Sequence, residues 1–235
     1  MKLNLLQSWG ENWLSLLFPQ YCPGCGKTLG RGEIAICYKC LAALPRTGMH
    51  DLPDNPIEKI LWGRAEIESA TAFLRMAKQS AMHRIVHDLK YHGNQEAGTR
   101  LGQLFGAELA VSRRMRDIHV IVPVPLHPKK QRARGYNQCH CIGEGLRIAL
   151  RCEMDTTSLI RTHHNASQTS KHRYERWQNV GEIFRVANTE KLKGKHILLV
   201  DDIITTGATI EACVKALSVV PDIRVSVAAL AIPSR

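Results

Sequence analysis

The residues with the clearest chemical potential form one short stretch near the end of the chain. The apolar residues Leu198 to Val200 precede two adjacent carboxylates, Asp201 and Asp202. A turn segment rich in hydroxyl groups follows: Thr205, Thr206, Gly207, Ala208 and Thr209. If a helix begins there, its free N–H groups, the hydroxyls and a close backbone approach at glycine suit a phosphate group. The carboxylates suit vicinal hydroxyls or a hydrated Mg²⁺. The pattern predicts a site for a sugar phosphate with free ring hydroxyls.

Simpler explanations account for fewer of these residues. A capped helix after an ordinary strand stays open as an alternative, but a cap requires one Thr or Asp rather than two acids, three threonines and a glycine. A Walker A loop requires a lysine after its glycine, and Ala208 follows Gly207.

Four of the 8 cysteines form two CxxC pairs with eleven residues between them: Cys22, Cys25, Cys37 and Cys40. This spacing predicts a structural Zn²⁺ site in which all four positions are filled by protein, so the metal would not be catalytic. An iron–sulfur site and a redox dithiol are the alternatives. About 20 residues cannot bury a core, so the metal would hold this ribbon folded. The other cysteines lie in apolar or helical patterns and are expected to be core thiols, which indicates a reducing compartment and predicts a cytoplasmic protein.

Basic residues outnumber acidic ones by 32 to 21, which gives a net charge of +11. Two clusters carry the surplus of the second half of the chain. The segment Arg113 to Arg134 has seven basic residues and one acidic residue, and Arg161 to Arg176 has four and one. Each cluster is a solvated face, a nucleic-acid contact or a site for an anionic ligand. Aromatic residues make up 6% of the chain, so the clusters offer few platforms for base stacking.

Short apolar strands alternate with helices from Ile118 onward, which predicts an α/β fold with a parallel sheet. Predicted strands cover 67–75, 119–125, 158–160, 197–200 and 225–232, and predicted helices cover 81–91, 96–110, 138–150 and 206–219. In such sheets, ligands bind at the carboxyl ends of the strands.

Three units are expected along the chain: an amphipathic helix at 1–18, a Cys₄ zinc ribbon at 19–44 and an α/β domain at 63–235, with an irregular linker at 44–57. The first helix would pack on its own domain, or else on a membrane surface or a partner. No apolar run reaches about 18 residues, so no transmembrane segment is expected.

The stretch Val200 to Thr209 resembles the loop of type I phosphoribosyltransferases that binds phosphoribosyl diphosphate (PRPP). The resemblance implies a doubly wound, mostly parallel sheet. It also implies that Asp201 and Asp202 are the catalytic acid pair and contact the ribose hydroxyls, that Thr205 to Thr209 bind the 5′-phosphate, and that Mg²⁺ accompanies PRPP.

Other segments resemble the ComF/GntX family, whose members join a Cys₄ ribbon to such a domain. They include Leu17-Phe18-Pro19, both CxxC pairs, Leu89-Lys90-Tyr91 with Gly93, Val122 to Pro125, Arg132 to Gln138, Arg161-Thr162 with Gln168 and Arg173, and Asn179-Val180 with Phe184. The resemblance implies a role in the uptake and use of external DNA. It leaves two functions open. One is a protein that binds PRPP and transfers a phosphoribosyl group. The other is a non-catalytic accessory protein with a vestigial or sensory PRPP pocket, which binds single-stranded DNA or DNA-uptake and DNA-processing proteins.

The same resemblance gives the basic clusters a role in binding pyrophosphate. One loop would be Pro125 to His127, followed by basic residues, and a second, mobile loop would span Arg161 to Arg176. The residues expected to contribute are Lys129, Lys130, Arg132, Arg134, Arg161, Lys171 and Arg173.

Overall fold

The computed structural model describes residues 19–162 and 183–234. At its centre is a five-stranded sheet in which every neighbouring pair of strands is parallel, with the order β1-β7-β6-β2-β3. The strands are β1 (Ser69–Met76), β2 (Val120–Pro123), β3 (Glu153–Met154), β6 (His196–Ile203) and β7 (Arg224–Pro233). A separate antiparallel pair consists of β4 (Leu159–Arg161) and β5 (Phe184–Val186).

Seven helices are assigned within the described residues. They are α1 (Tyr38–Ala42), α2 (Pro56–Leu61), α3 (Ala81–Tyr91), α4 (Gln95–Leu109), α5 (Pro128–Arg134), α6 (Gln138–Leu150) and α7 (Ala208–Leu217). None of these helices has the length and apolar character that a membrane span requires. The predicted amphipathic helix at 1–18 lies outside the described residues.

Two apolar cores form because successive side chains of a strand point to opposite faces of the sheet. On β6, Ile197 and Leu199 belong to one core, together with residues of α2 and α7. Leu198 and Val200 belong to the other, together with residues of α3, α4 and α6. Helices therefore cover both faces of a parallel sheet, and the predicted doubly wound α/β class is confirmed.

Glycines let α4 and α6 approach closely at their crossing. A Cβ atom at Gly102 would lie 2.2 Å from the carbonyl oxygen of Ile142, and one at Gly145 would lie 2.1 Å from the carbonyl oxygen of Thr99. These distances leave no room for a side chain. The crossing holds α6, and therefore its first residue Gln138, against the sheet.

The four-cysteine segment packs on α3 rather than standing apart. Ile36 and Cys37 are buried in the same core as Ile85 of α3. The guanidinium of Arg84 on α3 donates two hydrogen bonds to the carbonyl oxygen of Gly24, which lies between Cys22 and Cys25.

The interpretation of 44–57 as irregular holds through Asn55 and is wrong only for Pro56 and Ile57, which belong to α2. Asn55 caps α2 by accepting from the N–H groups of Ile57 and Glu58, and proline occupies the first helical position. Ile57 and Leu61 are fully buried in the core beside α7, and Met49 joins them. Pro56 thus begins a helix instead of preventing one. The domain boundaries themselves stay a prediction.

Candidate functional site

The candidate site lies where the carboxyl ends of β2 and β6 meet. These neighbouring strands pair through Val120–Pro123 and Ile197–Val200. The chain leaves β2 toward α5 and α6, and α6 packs in one core. It leaves β6 toward α7, which packs in the other. Two connections that diverge to opposite faces create a crevice at the strand ends, which is where open α/β sheets bind ligands.

Asp201 faces the protein interior. Its Oδ1 accepts a hydrogen bond from the backbone N–H of Asp202 at 2.8 Å and lies 3.6 Å from the thiol of Cys139. Burial, followed by the charge of Asp202, raises the pKa of Asp201 to about 7. Burial and the same two carboxylates raise the pKa of the Cys139 thiol, so this group stays protonated and donates to Asp201. The predicted contact of Asp201 with ribose hydroxyls stays a prediction, and its burial sets it apart from Asp202.

Asp202 is the less buried of the two carboxylates. Its Oδ2 accepts from Nε2 of Gln138 at 2.9 Å and pairs with Nζ of Lys90 at 3.0 Å. Both partners bind the same oxygen, so Oδ1 has no donor among the described residues. The side-chain amide oxygen of Gln138 is likewise buried with no partner there. Buried acceptors are normally satisfied, so this atom marks a place for a donor.

The turn after β6 has the conformation that a phosphate cradle requires. Gly207 has φ of 75°, which is the left-handed region, and it caps the start of α7 without a side-chain hydrogen bond. A small cavity of about 30 Å³ is lined by residues of the turn and by Asp201. The hydroxyl-bearing residues Thr205, Thr206 and Thr209 are exposed, as is Ala208.

Residues from α2 and the turn after it hold this loop from behind. A Cβ atom at position 207 would lie 2.7 Å from Ile60 and 3.0 Å from Leu61. Arg64 donates from Nη1 to the carbonyl oxygen of Thr206 at 2.6 Å and also pairs with Glu211 of α7. Glycine is therefore needed at 207 both for its φ and for the close contact.

The basic residues that follow Pro125 to His127 lie on a helix. Lys129, Lys130, Arg132 and Arg134 all lie on α5, because His127 accepts from the N–H of Lys129 and Pro128 occupies the first helical position. Lys129, Lys130 and Arg132 are exposed, and Arg134 lies 5.0 Å from the ring centroid of Tyr91. None of the four has a hydrogen bond or ion pair to the Asp201–Thr209 segment in the described structure.

The second basic cluster is only partly described. Arg161 lies on β4, with its guanidinium 5.3 Å from the ring centroid of Phe184, so this residue belongs to a strand and not to the predicted loop. Lys171 and Arg173 lie outside the described residues, and their pyrophosphate role stays a prediction.

Lys90 and Gln138 are site residues that local sequence patterns do not reveal. They lie far from Asp202 along the chain, and neither forms a recognisable motif with it. The one available signal is their presence in two segments of the family resemblance, Leu89-Lys90-Tyr91 and Arg132 to Gln138.

The four predicted metal ligands do converge. The thiol sulfurs of Cys22, Cys25, Cys37 and Cys40 all lie within 4.8 Å of one another, and those of Cys25 and Cys37 are 3.7 Å apart. Tetrahedral sulfurs around Zn²⁺ at ~2.3 Å would be separated by about 3.8 Å. Burial opposes ionisation of Cys22, yet backbone N–H donors from Cys37, Cys25 and Gly24 lower its pKa to about 7. The cluster fits a metal such as zinc.

Comparison with known proteins agrees with this geometry. The family model described as the phosphoribosyl transferase domain matches residues 144–231, which include β6, the turn and α7. The chain thus has a phosphoribosyltransferase domain in the matched region.

Three curated proteins of related sequence give a more specific comparison. The chain is 30% identical to DNA utilization protein YhgH of Escherichia coli over 129 residues, which are 54% of this chain and 56% of that protein. It is 27% identical to the Salmonella typhi YhgH over 192 residues, 80% of this chain and 74% of that one. Competence protein ComFC of Bacillus subtilis is 34% identical over 101 residues, 42% of this chain and 38% of that one. The chain thus spans about half the length of the first of these relatives. With the four-cysteine cluster, these matches agree with the resemblance: the chain is a distant homologue of the YhgH and ComFC proteins and has a region that matches the phosphoribosyl transferase domain.

Among solved structures, the allosteric regulatory enzyme of purine biosynthesis matches 57% of this chain and 25% of its own, with 20% identity and a TM-score of 0.40.

Proposed function

We propose that the crevice between β2 and β6 binds a ribose phosphate carrying a diphosphate, of the PRPP type, in a protein that serves the use of DNA from outside the cell. The observation that carries the proposal is the arrangement around Asp202. One carboxylate oxygen is held by Lys90 and Gln138, and the other is left for a ligand.

The acceptor groups at the crevice match the donors of a ribose ring. Oδ2 of Asp202 is held by Lys90 and Gln138, and Oδ1 of Asp202 lacks a donor among the described residues. Vicinal hydroxyl groups supply two donors that are adjacent in space. The site therefore suits a ring with free 2′ and 3′ hydroxyls.

The threonine turn suits the 5′-phosphate of the same ligand. The N–H groups at the start of α7 have no carbonyl partners in the helix, and the helix dipole favours an anion there. The hydroxyls of Thr205, Thr206 and Thr209 are exposed beside them. Because the cavity is small, about 30 Å³, it accommodates a phosphate group while the rest of the ligand lies along the open crevice.

Mg²⁺ would come with the diphosphate. Asp202 offers the free carboxylate oxygen that such a cation or its waters require. The Mg²⁺ ion would neutralise the charge on the leaving diphosphate as the bond to the ribose breaks. Lys90 and Gln138 would hold Asp202 in place.

A thermal-unfolding titration tests this proposal. PRPP with Mg²⁺ should raise the melting temperature of the full chain, because a ligand bound only to the folded state stabilises it. Asp202→Asn and Thr206→Val should both reduce that shift, and Thr206→Val, whose side chain is exposed, should unfold near the wild-type temperature without ligand. Pyrophosphate release in the same samples would report transfer or hydrolysis. A PRPP response equal to that of free pyrophosphate in all variants would overturn the proposal.

A second candidate function is binding of single-stranded DNA by an accessory protein. The observation that favours it is α5, which carries four basic residues and no acidic one, three of them exposed without an ion pair in the described structure.

A further inference from the structure

A group of exposed rings lies beside the basic helix α5. His87, Tyr91 and His92 sit at the carboxyl end of α3, and Arg134 is the last residue of α5. The ring centroids of His87 and Tyr91 are 4.7 Å apart, and those of His87 and His92 are 5.4 Å apart. We call these four residues the α3–α5 ring surface. Sequence patterns give little sign of base stacking here, because three of its members lie more than 40 residues from Arg134.

Tyr91 is the centre of this surface. The Arg134 guanidinium lies 5.0 Å from its ring centroid, yet the residue remains 61% exposed. A ring that carries a cation and still faces water can accept a further planar group, because stacking and cation–π contact add to each other.

The charges around the ring surface favour an anionic partner. Lys129, Lys130 and Arg132 on α5 are exposed and have no ion pair within the described parts of the chain. The acid on α3, Asp88, is already occupied by Nδ1 of His92 at 2.9 Å and by the amide of Asn94.

The ring surface also adjoins the crevice. Lys90, the residue before Tyr91, pairs with Asp202. The hydroxyl of Tyr136 donates to the carbonyl oxygen of Leu89, which ties the end of α3 to the segment after α5. A chain of nucleotides lying on α5 would therefore pass the rim of the ribose-phosphate site.

We propose that the α3–α5 ring surface stacks an unpaired base of single-stranded DNA on Tyr91, while the cations of α5 bind the neighbouring phosphates. This inference deepens the second candidate function and does not require PRPP in the crevice. Single strands suit it because a base must be free of its duplex to stack on a side chain.

Fluorescence anisotropy of a labelled oligothymidylate tests the proposal. Tyr91→Ala should weaken binding about tenfold or more, and Tyr91→Phe should restore it, because the ring and not the hydroxyl makes the stack. Tyr21→Ala is the matched control, since Tyr21 is 60% exposed but lies in the cysteine-rich segment. It should leave the affinity within twofold.

An abasic oligonucleotide of equal length isolates the base. Its affinity should be the same for wild type and Tyr91→Ala, and its dependence on salt should match that of the intact strand. The proposal is overturned if Tyr91→Ala binds the intact strand like Tyr21→Ala, or if it weakens both strands equally. Calorimetry of Tyr91→Ala with PRPP separates this proposal from the proposed PRPP site. Weaker DNA binding with normal PRPP affinity supports stacking on Tyr91, whereas normal DNA binding with weaker PRPP affinity contradicts it.

Discussion

The ammonium group of Lys90 lies 3.0 Å from Oδ2 of Asp202, which joins the carboxyl end of α3 to the carboxyl end of β6. Both side chains are mostly buried, so the pair shares a partly desolvated setting in which charges interact more strongly than at an open surface. Gln138 binds the same oxygen from α6. Three elements therefore meet at one carboxylate, and its orientation depends on all of them.

Removal of the Lys90 charge should destabilise both the protein and its ligand complex. Lys90→Met leaves Asp202 without its cation, which we expect to cost about 1–3 kcal/mol of unfolding free energy. An uncompensated carboxylate would also repel phosphates, so PRPP should bind at least tenfold more weakly. Urea unfolding and calorimetry measure the two effects. Lys215→Met, on the exposed side of α7, is the control. Equal behaviour of the two variants would contradict the assigned role of Lys90.

The pH dependence of stability should reveal Asp201. Its pKa is about 7 in the folded protein against an ordinary value of 3.8, so between these values the folded state keeps a proton that the unfolded state has lost. The free energy of unfolding contributed by this group must then fall as pH rises through that window and level off above it. Asp201→Asn cannot ionise and should gain stability relative to wild type between pH 5 and pH 8. A difference between the two proteins that does not change with pH would refute the shift.

A side chain at position 207 should disable the turn. Gly207→Ala forces an unfavourable φ and places a Cβ atom 2.7 Å from Ile60. Gly194→Ala is a matched control, since Gly194 has φ of 66° and a Cβ atom added there would meet no other atom within 4 Å. Gly194→Ala should lose only about 1–2 kcal/mol of unfolding free energy, because alanine is strained at this positive φ. Gly207→Ala should lose more unfolding free energy than the control, and PRPP should no longer stabilise it. Thermal unfolding with and without PRPP distinguishes them, and equal losses would argue against the packing of α2 on the turn.

Metal removal should affect α3 as well as the cysteine segment. The sequence predicts a ribbon that unfolds alone, but Arg84 and Ile85 tie it to α3. A chelator should therefore increase amide hydrogen exchange at 19–44 and also in α3, while the central strands stay protected. Hydrogen exchange read by mass spectrometry tests this. Unchanged protection of α3 in the metal-free protein would show that the ribbon is energetically separate.

Local patterns predict most of the elements. The predicted helices at 81–91 and 138–150 have the observed bounds of α3 and α6, because apolar residues at helical spacing face a core and polar caps precede them. The strand ahead of the acid pair is equally clear as an uninterrupted apolar run. These features depend only on residues close together in the chain.

The features that local patterns miss depend on packing or on the dual role of proline. Pro56 and Pro128 indicate irregular chain when only their neighbours are considered, yet each occupies the first position of a helix, where its missing N–H costs nothing. The inward turn of Asp201 and its contact with Cys139 follow from the way α6 packs against β6. No periodicity encodes such a contact between distant segments.

The ribose-phosphate assignment can be tested most directly by calorimetry with three ligands: PRPP, ribose 5-phosphate and 2-deoxyribose 5-phosphate. If Asp202 accepts from the ring hydroxyls while the threonine turn holds the phosphate, affinity should decrease in that order. Asp202→Asn should narrow the gap between the last two. Equal affinity of the wild-type protein for ribose 5-phosphate and its deoxy analogue, or no binding of any of the three, would contradict the assignment.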